Sequence, residues 1–197
     1  MKHQGWTGGP FQLSETVAAS LDSYERLLRE RALPGRMIAA GDAGRLRERH
    51  LGDCLRAVEL LRTGDRSAID IGSGAGLPGV VVAIARPELM VTLVESRRSR
   101  AAFLDLVVDQ LALRNTRVVH GRIEDLRVVA DICLARALGS AASSWWAAEP
   151  HLRPRGRLLY WAGASFRVSD VPPDLRIEVV RAPWLAWSGP VVMMSRQ

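Results

Sequence analysis

The stretch from Ala68 to Gly79, Ala-Ile-Asp-Ile-Gly-Ser-Gly-Ala-Gly-Leu-Pro-Gly, decides how this chain folds. An apolar run carries an acid at its end, Asp70, and a glycine-rich turn leads into Val80–Ala85, which is typical of a buried helix. Glycine has no Cβ and tolerates positive φ, so a ligand can approach the bare backbone of such a turn. The helix start also directs free N–H groups towards that ligand. The sequence therefore predicts a strand, a binding turn and a helix in succession.

The spacing of the glycines narrows the choice of ligand. A dinucleotide-binding turn needs glycines at its first, third and sixth positions. Counting from Gly72, the third position is Gly74, but the sixth is Leu77. The pattern G-x-G-x-G instead resembles motif I of the class I S-adenosylmethionine (SAM) methyltransferases. This resemblance implies that Asp70, Gly72, Ser73 and Gly74 lie in a cofactor site, with Asp70 near the methionine end of SAM.

A second carboxylate follows at a suitable distance. Met90–Glu95 is a β-type apolar run that ends in Glu95, 25 residues after Asp70. Ligands of open α/β sheets bind outside the carboxyl ends of the strands, where an acid can accept hydrogen bonds from both hydroxyls of a ribose. We therefore expect Glu95 to bind the ribose of SAM. The alternative is an ordinary surface acid at the end of a strand.

Length and composition indicate one globular α/β domain without a membrane segment. The chain has 197 residues, of which 48% are hydrophobic, and no apolar run reaches the roughly 18 residues that span a bilayer. Residues 1–10 lack the apolar core of a signal peptide, so we expect a cytoplasmic protein, and we expect a monomer. Two cysteines and four histidines without zinc-ligand spacing predict neither a disulfide framework nor a metal.

The charge of the chain favours a polyanionic partner. Its formal net charge is +6, and of its 27 basic residues only Lys2 is a lysine. Arginine binds phosphate bidentately, and a basic surface gains affinity for nucleic acid through counterion release. Arg97 and Arg98 directly follow the strand that ends at Glu95, so we expect them to contact RNA at the sheet edge where substrate enters. The alternative is a solvated charged surface.

The remaining chain alternates between strand and helix patterns. Residues 1–64 are expected to form a helical N-terminal extension, packed on a Rossmann-like methyltransferase core of residues 65–197 within the same domain. Alternating strands and helices predict an α/β fold, a mostly parallel sheet with helices on both faces. The expected strands are 69–71, 91–95, 117–120, 131–135 and 157–161, with a closing pair at 176–180 and 191–195; the expected helices are 13–31, 43–61, 80–85 and 101–113.

Four motifs resemble one family when they are read in order. They are Arg49-His50-Leu51-Gly52-Asp53-Cys54-Leu55, the glycine-rich turn with its Leu-Pro-Gly extension, Arg122-Ile123-Glu124-Asp125 and Ala135-Arg136-Ala137. Together they resemble the bacterial small-subunit (16S) ribosomal RNA guanine-N7 methyltransferases, the glucose-inhibited division protein B family. The resemblance implies that Gly72, Leu77, Ile123, Glu124 and Arg136 line the SAM site. Ile123 and Glu124 would hold adenine, and Arg136 would lie beside the transferring methyl as the catalytic residue.

Residues absent from the site agree with guanine N7 as the acceptor. N7 carries an in-plane lone pair and attacks without losing a proton, so no general base is required. The Asn/Asp-Pro-Pro-aromatic motif of exocyclic-amine methyltransferases is replaced by Ala135–Leu138. Cytosine-C5 methyltransferases need a cysteine nucleophile, usually beside a proline, whereas Cys133 has no neighbouring proline and is expected in the core. Arg136 could hydrogen-bond guanine O6 or a backbone phosphate. Ile123 could instead be a core residue, and Glu124 could cap a turn.

Three further features leave alternatives open. His50 and Asp53, three residues apart, could shape the substrate pocket or simply bond to each other. Trp145 and Trp146 follow a strand, and at least one of them is expected in the core rather than on a base-stacking surface. Trp161 and Arg36–Ile38 depart from the family pattern on the substrate side.

A SAM methyltransferase of another RNA or a small molecule, and a SAM-binding rRNA protein without turnover, are the alternative functions.

Overall fold

The computed structural model describes residues 11–185 and 188–197, which form one sheet covered by helices. In these ranges the helices α1 to α5 span Glu15–Leu27, Asp53–Leu60, Gly79–Ala85, Arg98–Gln110 and Ala141–Ala148. Strands β1 to β7 span Ser67–Ile71, Met90–Glu95, Thr116–His120, Ala130–Arg136, Leu152–Trp161, Leu175–Val180 and Val191–Arg196. The expected strands are confirmed, with bounds that differ by a few residues.

The sheet has the order β3-β2-β1-β4-β5-β7-β6. Strands β1 to β5 run parallel, and β7 is antiparallel to both of its neighbours, β5 and β6. The strand order reverses between β1 and β4, and ligands of open α/β sheets bind in the crevice at such a reversal. The mostly parallel Rossmann-like sheet and its closing pair of strands are therefore as predicted.

Two hydrophobic clusters cover the two faces of the sheet. Alternate residues of β1 point to opposite faces, Ala68 into a cluster with α1 to α4 and Ile69 into a cluster with α5. Trp145 is fully buried in the second cluster, whereas Trp146 is 53% exposed. Cys133 is buried in β4 as expected. The crossover from β3 to β4 holds only the 3₁₀ turn Ile123–Asp125, so α5 covers most of that face.

The N-terminal helices pack on the core beside the glycine turn. Both α1 and α2 contact α3, and Leu21, Leu28 and Leu55 of this region are almost completely buried in the first cluster. None of the helices among residues 11–185 and 188–197 is both long and apolar enough to cross a bilayer.

The helix expected over residues 43–61 is wrong in its first half. The chain forms a 3₁₀ helix over Ala40–Arg45, then a π-helix over Leu46–Gly52, and becomes α-helical only at Asp53. Gly41, Gly44 and Gly52 weaken the α-helical preference of this segment. The wider π turn carries His50, and such turns occur frequently at functional sites.

Candidate active site at the carboxyl edge of the sheet

The glycine turn after β1 needs glycine for its backbone conformation. Gly72, Gly74 and Gly76 have φ of 69°, 60° and 94°, in the left-handed region that favours glycine. A Cβ at Gly76 would lie 2.6 Å from Val80 Cγ2 and 2.7 Å from Tyr24 Oη, whereas a Cβ at Gly74 would meet nothing closer than 3.8 Å. The turn is therefore packed against the protein at Gly76 and open to a ligand at Gly74.

Helix α1 supports this turn through Tyr24. The fully buried Tyr24 hydroxyl donates a 2.6 Å hydrogen bond to the carbonyl oxygen of Ala75. Ser73 is also fixed, because its N–H donates to the Val94 carbonyl oxygen at 2.9 Å. This contact, which joins residues 51 positions apart, was not predicted from the sequence.

Asp70 lies under the turn with one free oxygen. It is 1% exposed, and its Oδ2 accepts a 3.0 Å hydrogen bond from the N–H of Gly79 at the start of α3. Its Oδ1 is buried without a hydrogen-bond partner among the described residues. Burial raises the pKa of this carboxyl to about 7. A cation at Oδ1 would favour the ionised form, and SAM carries positive charge on its amino and sulfonium groups, so the site fits that cofactor.

Glu95 at the end of β2 is not an ordinary surface acid. It is 4% exposed, its Oε2 accepts from the Gly74 N–H at 2.9 Å, and its Oε1 accepts from the Arg97 N–H at 2.8 Å. The carboxylate thus joins β2 to the open part of the glycine turn. Each oxygen keeps a further lone-pair direction, so Glu95 can still accept hydrogen bonds from a ligand hydroxyl.

Leu77, Ile123 and Glu124, which are also expected to line the SAM site, differ in their exposure. Leu77 is buried beside Pro78, with which it forms a cis peptide bond. Ile123 is buried in the second hydrophobic cluster, whereas the Glu124 side chain is exposed to solvent. Backbone pairing brings the segment before Ile123 to Glu95, because Gly121 N–H donates to the Glu95 carbonyl oxygen at 3.0 Å.

Arg136 ends β4, and three residues from the region before β1 surround it. Its Nη2 lies 3.0 Å from Nδ1 of His50 and 3.4 Å from the carbonyl oxygen of Arg49, and its Nε lies 3.7 Å from Asp53 Oδ2. The structure therefore brings His50, Asp53 and Arg136 together. His50 and Asp53 each contact Arg136, and among the described residues no hydrogen bond joins the two to each other.

A carboxylate that sequence reasoning missed completes the arrangement. Asp42 Oδ2 lies 3.1 Å from His50 Nε2, and its Oδ1 accepts from Arg49 Nη1 at 2.8 Å. The pKa of His50 is lowered by burial and then by the charge of Arg136, while Asp42 acts in the opposite direction. We refer to Asp42, His50, Asp53 and Arg136 as the arginine cluster.

Asp53 is held on its other side by a buried arginine. The Arg56 guanidinium donates to Asp53 Oδ1 at 2.9 Å, to the Gly189 carbonyl oxygen at 2.8 Å and to the Val180 carbonyl oxygen at 2.7 Å. Trp161 contributes its indole N–H to the Asp53 carbonyl oxygen at 3.1 Å. Trp161, which departs from the family pattern, thus supports the backbone of Asp53 in the arginine cluster.

The arginines after β2 lie at the same edge of the sheet. Arg97 caps α4 and Arg98 begins it, their side chains are exposed, and no acidic side chain pairs with either guanidinium in the described ranges. Arg100 Nη1 lies 3.9 Å from the position that a Cβ on Gly74 would take, so this guanidinium is close to the open part of the turn. The closeness of Arg100 to the glycine turn was not predicted from the sequence.

A groove of about 1110 Å³ lies at the opposite end of the sheet and is a poorer candidate. Several of the arginines that line it are neutralised: Arg153 pairs with Asp131 at 3.6 Å, Arg157 with Asp65 at 2.7 Å, and Arg196 with Asp174 at 3.0 Å. No group of three or more potential metal ligands occurs within the residues that the structure describes.

Comparison with solved structures identifies the fold. A mutant of MtNAS in complex with S-adenosylmethionine aligns with a TM-score of 0.62 at 16% identity, over 91% of this chain and 73% of that one. A SAM-dependent methyltransferase from Aquifex aeolicus aligns with a TM-score of 0.59 at 15% identity, over 82% and 97% of the two chains. At these identities the likeness shows a shared fold, that of the class I methyltransferases.

Comparison of sequences identifies the family. A ribosomal RNA small subunit methyltransferase G from Paracoccus denitrificans is 36% identical over 81% of this chain and 84% of its own. The protein of the same name from Neisseria meningitidis is 32% identical over 94% and 92% of the two chains, and that from Thermobifida fusca 43% over 71% and 60%. The family model of rRNA small subunit methyltransferase G (GidB) matches residues 18–168. The matched region contains the glycine turn, Glu95 and the arginine cluster, and the chain therefore belongs to the rRNA small subunit methyltransferase G family.

Proposed function

We propose that this chain transfers a methyl group from SAM to N7 of a guanosine in 16S ribosomal RNA of the small subunit. One observation carries the proposal: the open glycine turn, the buried acid Glu95 and the Arg136 guanidinium follow three adjacent parallel strands and so meet at one sheet edge. We further propose that the protein works in the cytoplasm as a monomer.

The glycine turn and the acids around it supply the expected SAM contacts. Gly72, Ser73 and Gly74 present backbone to the cofactor, and Glu95 accepts from the ribose hydroxyls. Asp70 stabilises the positively charged end through its unpartnered Oδ1. Leu77 contributes apolar surface nearby. Ile123 and Glu124 contact the adenine, the first through a side chain that is buried in the core and the second through an exposed one.

SAM supplies an electrophilic methyl group on a sulfonium when it is bound. The chain's own residues then need only to place the acceptor base in line, since N7 attacks with an in-plane lone pair and loses no proton. The arginine cluster fits this requirement, because His50 and Asp53 both contact Arg136 and so hold it in place. Arg136 is the residue that we assign to the reaction, through guanine O6 or the adjoining phosphate.

The RNA contacts are proposed for both sides of this edge. Arg97 and Arg98 are exposed beside Glu95, and a guanidinium can bind phosphate with two parallel hydrogen bonds. His50 and Asp53 shape the pocket from the other side by holding Arg136. The net charge of +6 favours a polyanionic substrate over a neutral metabolite.

Incubation with radiolabelled SAM and either small ribosomal subunits or naked RNA tests the proposal. We expect label on guanosine, released as 7-methylguanine after mild depurination. Label on another base would indicate a different RNA acceptor, and label on small metabolites alone would indicate a small-molecule enzyme. Tight SAM binding without transfer would indicate a binding protein. A map of modified nucleotides in a strain that lacks the protein identifies the target nucleotide.

A further inference from the structure

Two residues of the arginine cluster, Asp42 and His50, form a hydrogen-bonded chain that ends at Arg136. Asp42 comes from the 3₁₀ helix and His50 from the π-helix that precede α2. We propose that Asp42 and His50 are positioning residues, which hold Arg136 in the orientation that methyl transfer needs. This inference rests on the proposed function, in which Arg136 contacts the substrate.

The hydrogen-bond chemistry permits one arrangement of protons. A guanidinium can only donate, so His50 Nδ1, at 3.0 Å from Arg136 Nη2, must accept through its lone pair. A neutral imidazole then carries its proton on Nε2, which donates to Asp42 Oδ2 at 3.1 Å. Asp42 thereby selects the tautomer that is able to hold Arg136.

This arrangement leaves one end of the guanidinium for a ligand. Nη2 contacts His50 and the Arg49 carbonyl oxygen, and Nε faces Asp53. Nη1 has no acceptor among the described residues, and the Arg136 side chain is 19% exposed. With Nη2 and Nε held inside the protein, Nη1 is the end that can reach guanine O6 or a phosphate.

The charges around Arg136 explain why a neutral hydrogen-bond acceptor, His50 Nδ1, is suitable beside the guanidinium. Methylation at N7 places positive charge on the base, and a nearby guanidinium would oppose it. Asp53 at 3.7 Å and Asp42 behind His50 supply negative charge that reduces this repulsion. A second carboxylate directly on Nη2 would instead compete with the substrate for the guanidinium.

Protonation of His50 would destroy the arrangement. A doubly protonated ring presents an N–H to Arg136, so that two donors face each other and two positive charges repel. The charged groups around the ring are Asp42 on the 3₁₀ helix, Arg49 on its own segment, Asp53 on α2 and Arg136 on β4. We therefore expect turnover to fall on the acid side, at a pH below the ordinary pKa of histidine.

Three variants test the inference. In Asp42→Asn the amide oxygen stays on Arg49, so that the amide NH2 faces Nε2 and favours the wrong tautomer. His50→Phe keeps an aromatic ring but removes the acceptor. His50→Asn places an amide oxygen where Nδ1 was. We expect kcat to fall at least tenfold in the first two and less than threefold in His50→Asn, whose acid-side decline should disappear. The KM for RNA and the SAM dissociation constant should change less than threefold.

A spectroscopic measurement provides a readout that does not depend on activity. In ¹⁵N NMR of the protein without RNA, we expect His50 to be protonated on Nε2 in the natural chain and on Nδ1 in Asp42→Asn. His120→Phe assists the assignment. Asp174→Asn, which weakens an exposed ion pair at the other end of the sheet, is the matched control for loss of a carboxylate and should leave both readouts unchanged.

The outcomes separate this inference from the proposed function. If Arg136→Ala is inactive while Asp42→Asn and His50→Phe turn over normally, the positioning role is wrong and the proposed function stands. An active Arg136→Ala would remove Arg136 from the reaction and the inference with it. Loss of kcat with an unchanged tautomer in Asp42→Asn would also overturn the inference, as would a general loss of fold in thermal unfolding of His50→Asn.

Discussion

Single side chains fix the glycine turn from three directions. Tyr24 holds the carbonyl oxygen of Ala75, Glu95 holds the N–H of Gly74, and Asp70 holds the N–H of Gly79. All three side chains are buried, and each contact is to the backbone rather than to another side chain. Because a buried backbone group without a partner costs about 1–3 kcal/mol, each residue has a separate and measurable effect on the turn.

Arg136→Ala should lower turnover at least tenfold while the fold survives. The substitution removes the donor that we place at the substrate and leaves the hydrophobic clusters intact. Single-turnover methylation of small subunits measures the first effect, and circular dichroism the second. Arg136→Lys, which keeps the charge but loses the planar donor geometry, should restore only part of the rate. Near-normal turnover in the alanine variant would contradict the assignment.

Glu95→Ala should weaken SAM binding by about 1–3 kcal/mol, since the carboxylate–hydroxyl pair that we propose with the ribose is lost and the Gly74 and Arg97 N–H groups lose their acceptor. Isothermal titration calorimetry measures the dissociation constant. Glu178→Ala on β6, where the side chain lies far from the glycine turn at the edge of the sheet, is the control and should bind SAM normally. An unchanged constant for Glu95→Ala would argue against the ribose contact.

The pKa of Asp70 predicts how stability without ligand depends on pH. Folding raises this pKa from its ordinary value of 3.8 to about 7, so between these values the unfolded chain is ionised while the folded one keeps its proton. The contribution of Asp70 to the free energy of unfolding is therefore fully present below about pH 4 and is lost as the pH rises to about 7. Urea titrations across this range should show the decline, and Asp70→Asn should lack it. Parallel curves for the two proteins would contradict the pKa shift.

Helix α1 contacts the candidate cofactor site although it lies outside the sheet. It contacts α3, and its Tyr24 hydroxyl reaches the glycine turn. The π-helical segment Leu46–Gly52 likewise delivers His50 to Arg136. Elements before β1 therefore contribute to the site through contacts that they make with the carboxyl ends of the strands.

Tyr24→Phe should weaken SAM binding about tenfold, because the Ala75 carbonyl oxygen loses its donor and the turn becomes less ordered. Hydrogen exchange should show faster exchange at residues 72–77 and little change at α5. Phe11→Leu, at the start of the described chain and packed only partly against the core, is a matched aromatic control. Unchanged binding and exchange in Tyr24→Phe would mean that the hydroxyl has no role in ordering the turn.

The sequence predicted the elements better than the contacts between them. Asp70, Glu95 and Arg136 could be assigned to one edge, because the carboxyl ends of parallel strands always meet there. The bond from Tyr24 to Ala75 could not be predicted, since it depends on how α1 packs across 51 intervening positions. Asp42 was missed because it precedes the helix expected over 43–61, which would hold it about two turns from His50, whereas the 3₁₀ and π segments bring the two side chains together.

On the scale of the whole molecule, one buried ion pair connects the region before β1 to β5. Arg157 donates to both Asp65 oxygens at 2.9 and 2.7 Å and to the Leu60 carbonyl oxygen at 2.8 Å. Both residues are buried, so the charges compensate each other away from water. The pair lies at the end of the sheet opposite the glycine turn and supports the fold rather than the chemistry.

Asp65→Ala should lower the free energy of unfolding by about 3–5 kcal/mol, because the Arg157 charge stays buried without its partner. Urea denaturation measures the change. Asp174→Ala removes one of the two carboxylate partners of the exposed Arg196, which also pairs with Glu149, and should cost less than about 1 kcal/mol. Equal losses in the two variants would show that the burial of Arg157 does not matter.

The hydrogen bonds of Arg56 have a consequence for biosynthesis. This side chain ties Asp53 to carbonyl groups that follow Arg56 by 124 and 133 positions in the chain. During translation, Asp53 and Arg56 leave the ribosome long before Val180 and Gly189 do. A nascent chain thus cannot complete the hydrogen bonds that hold Asp53, and through Asp53 the surroundings of Arg136, until Val180 and Gly189 have been made.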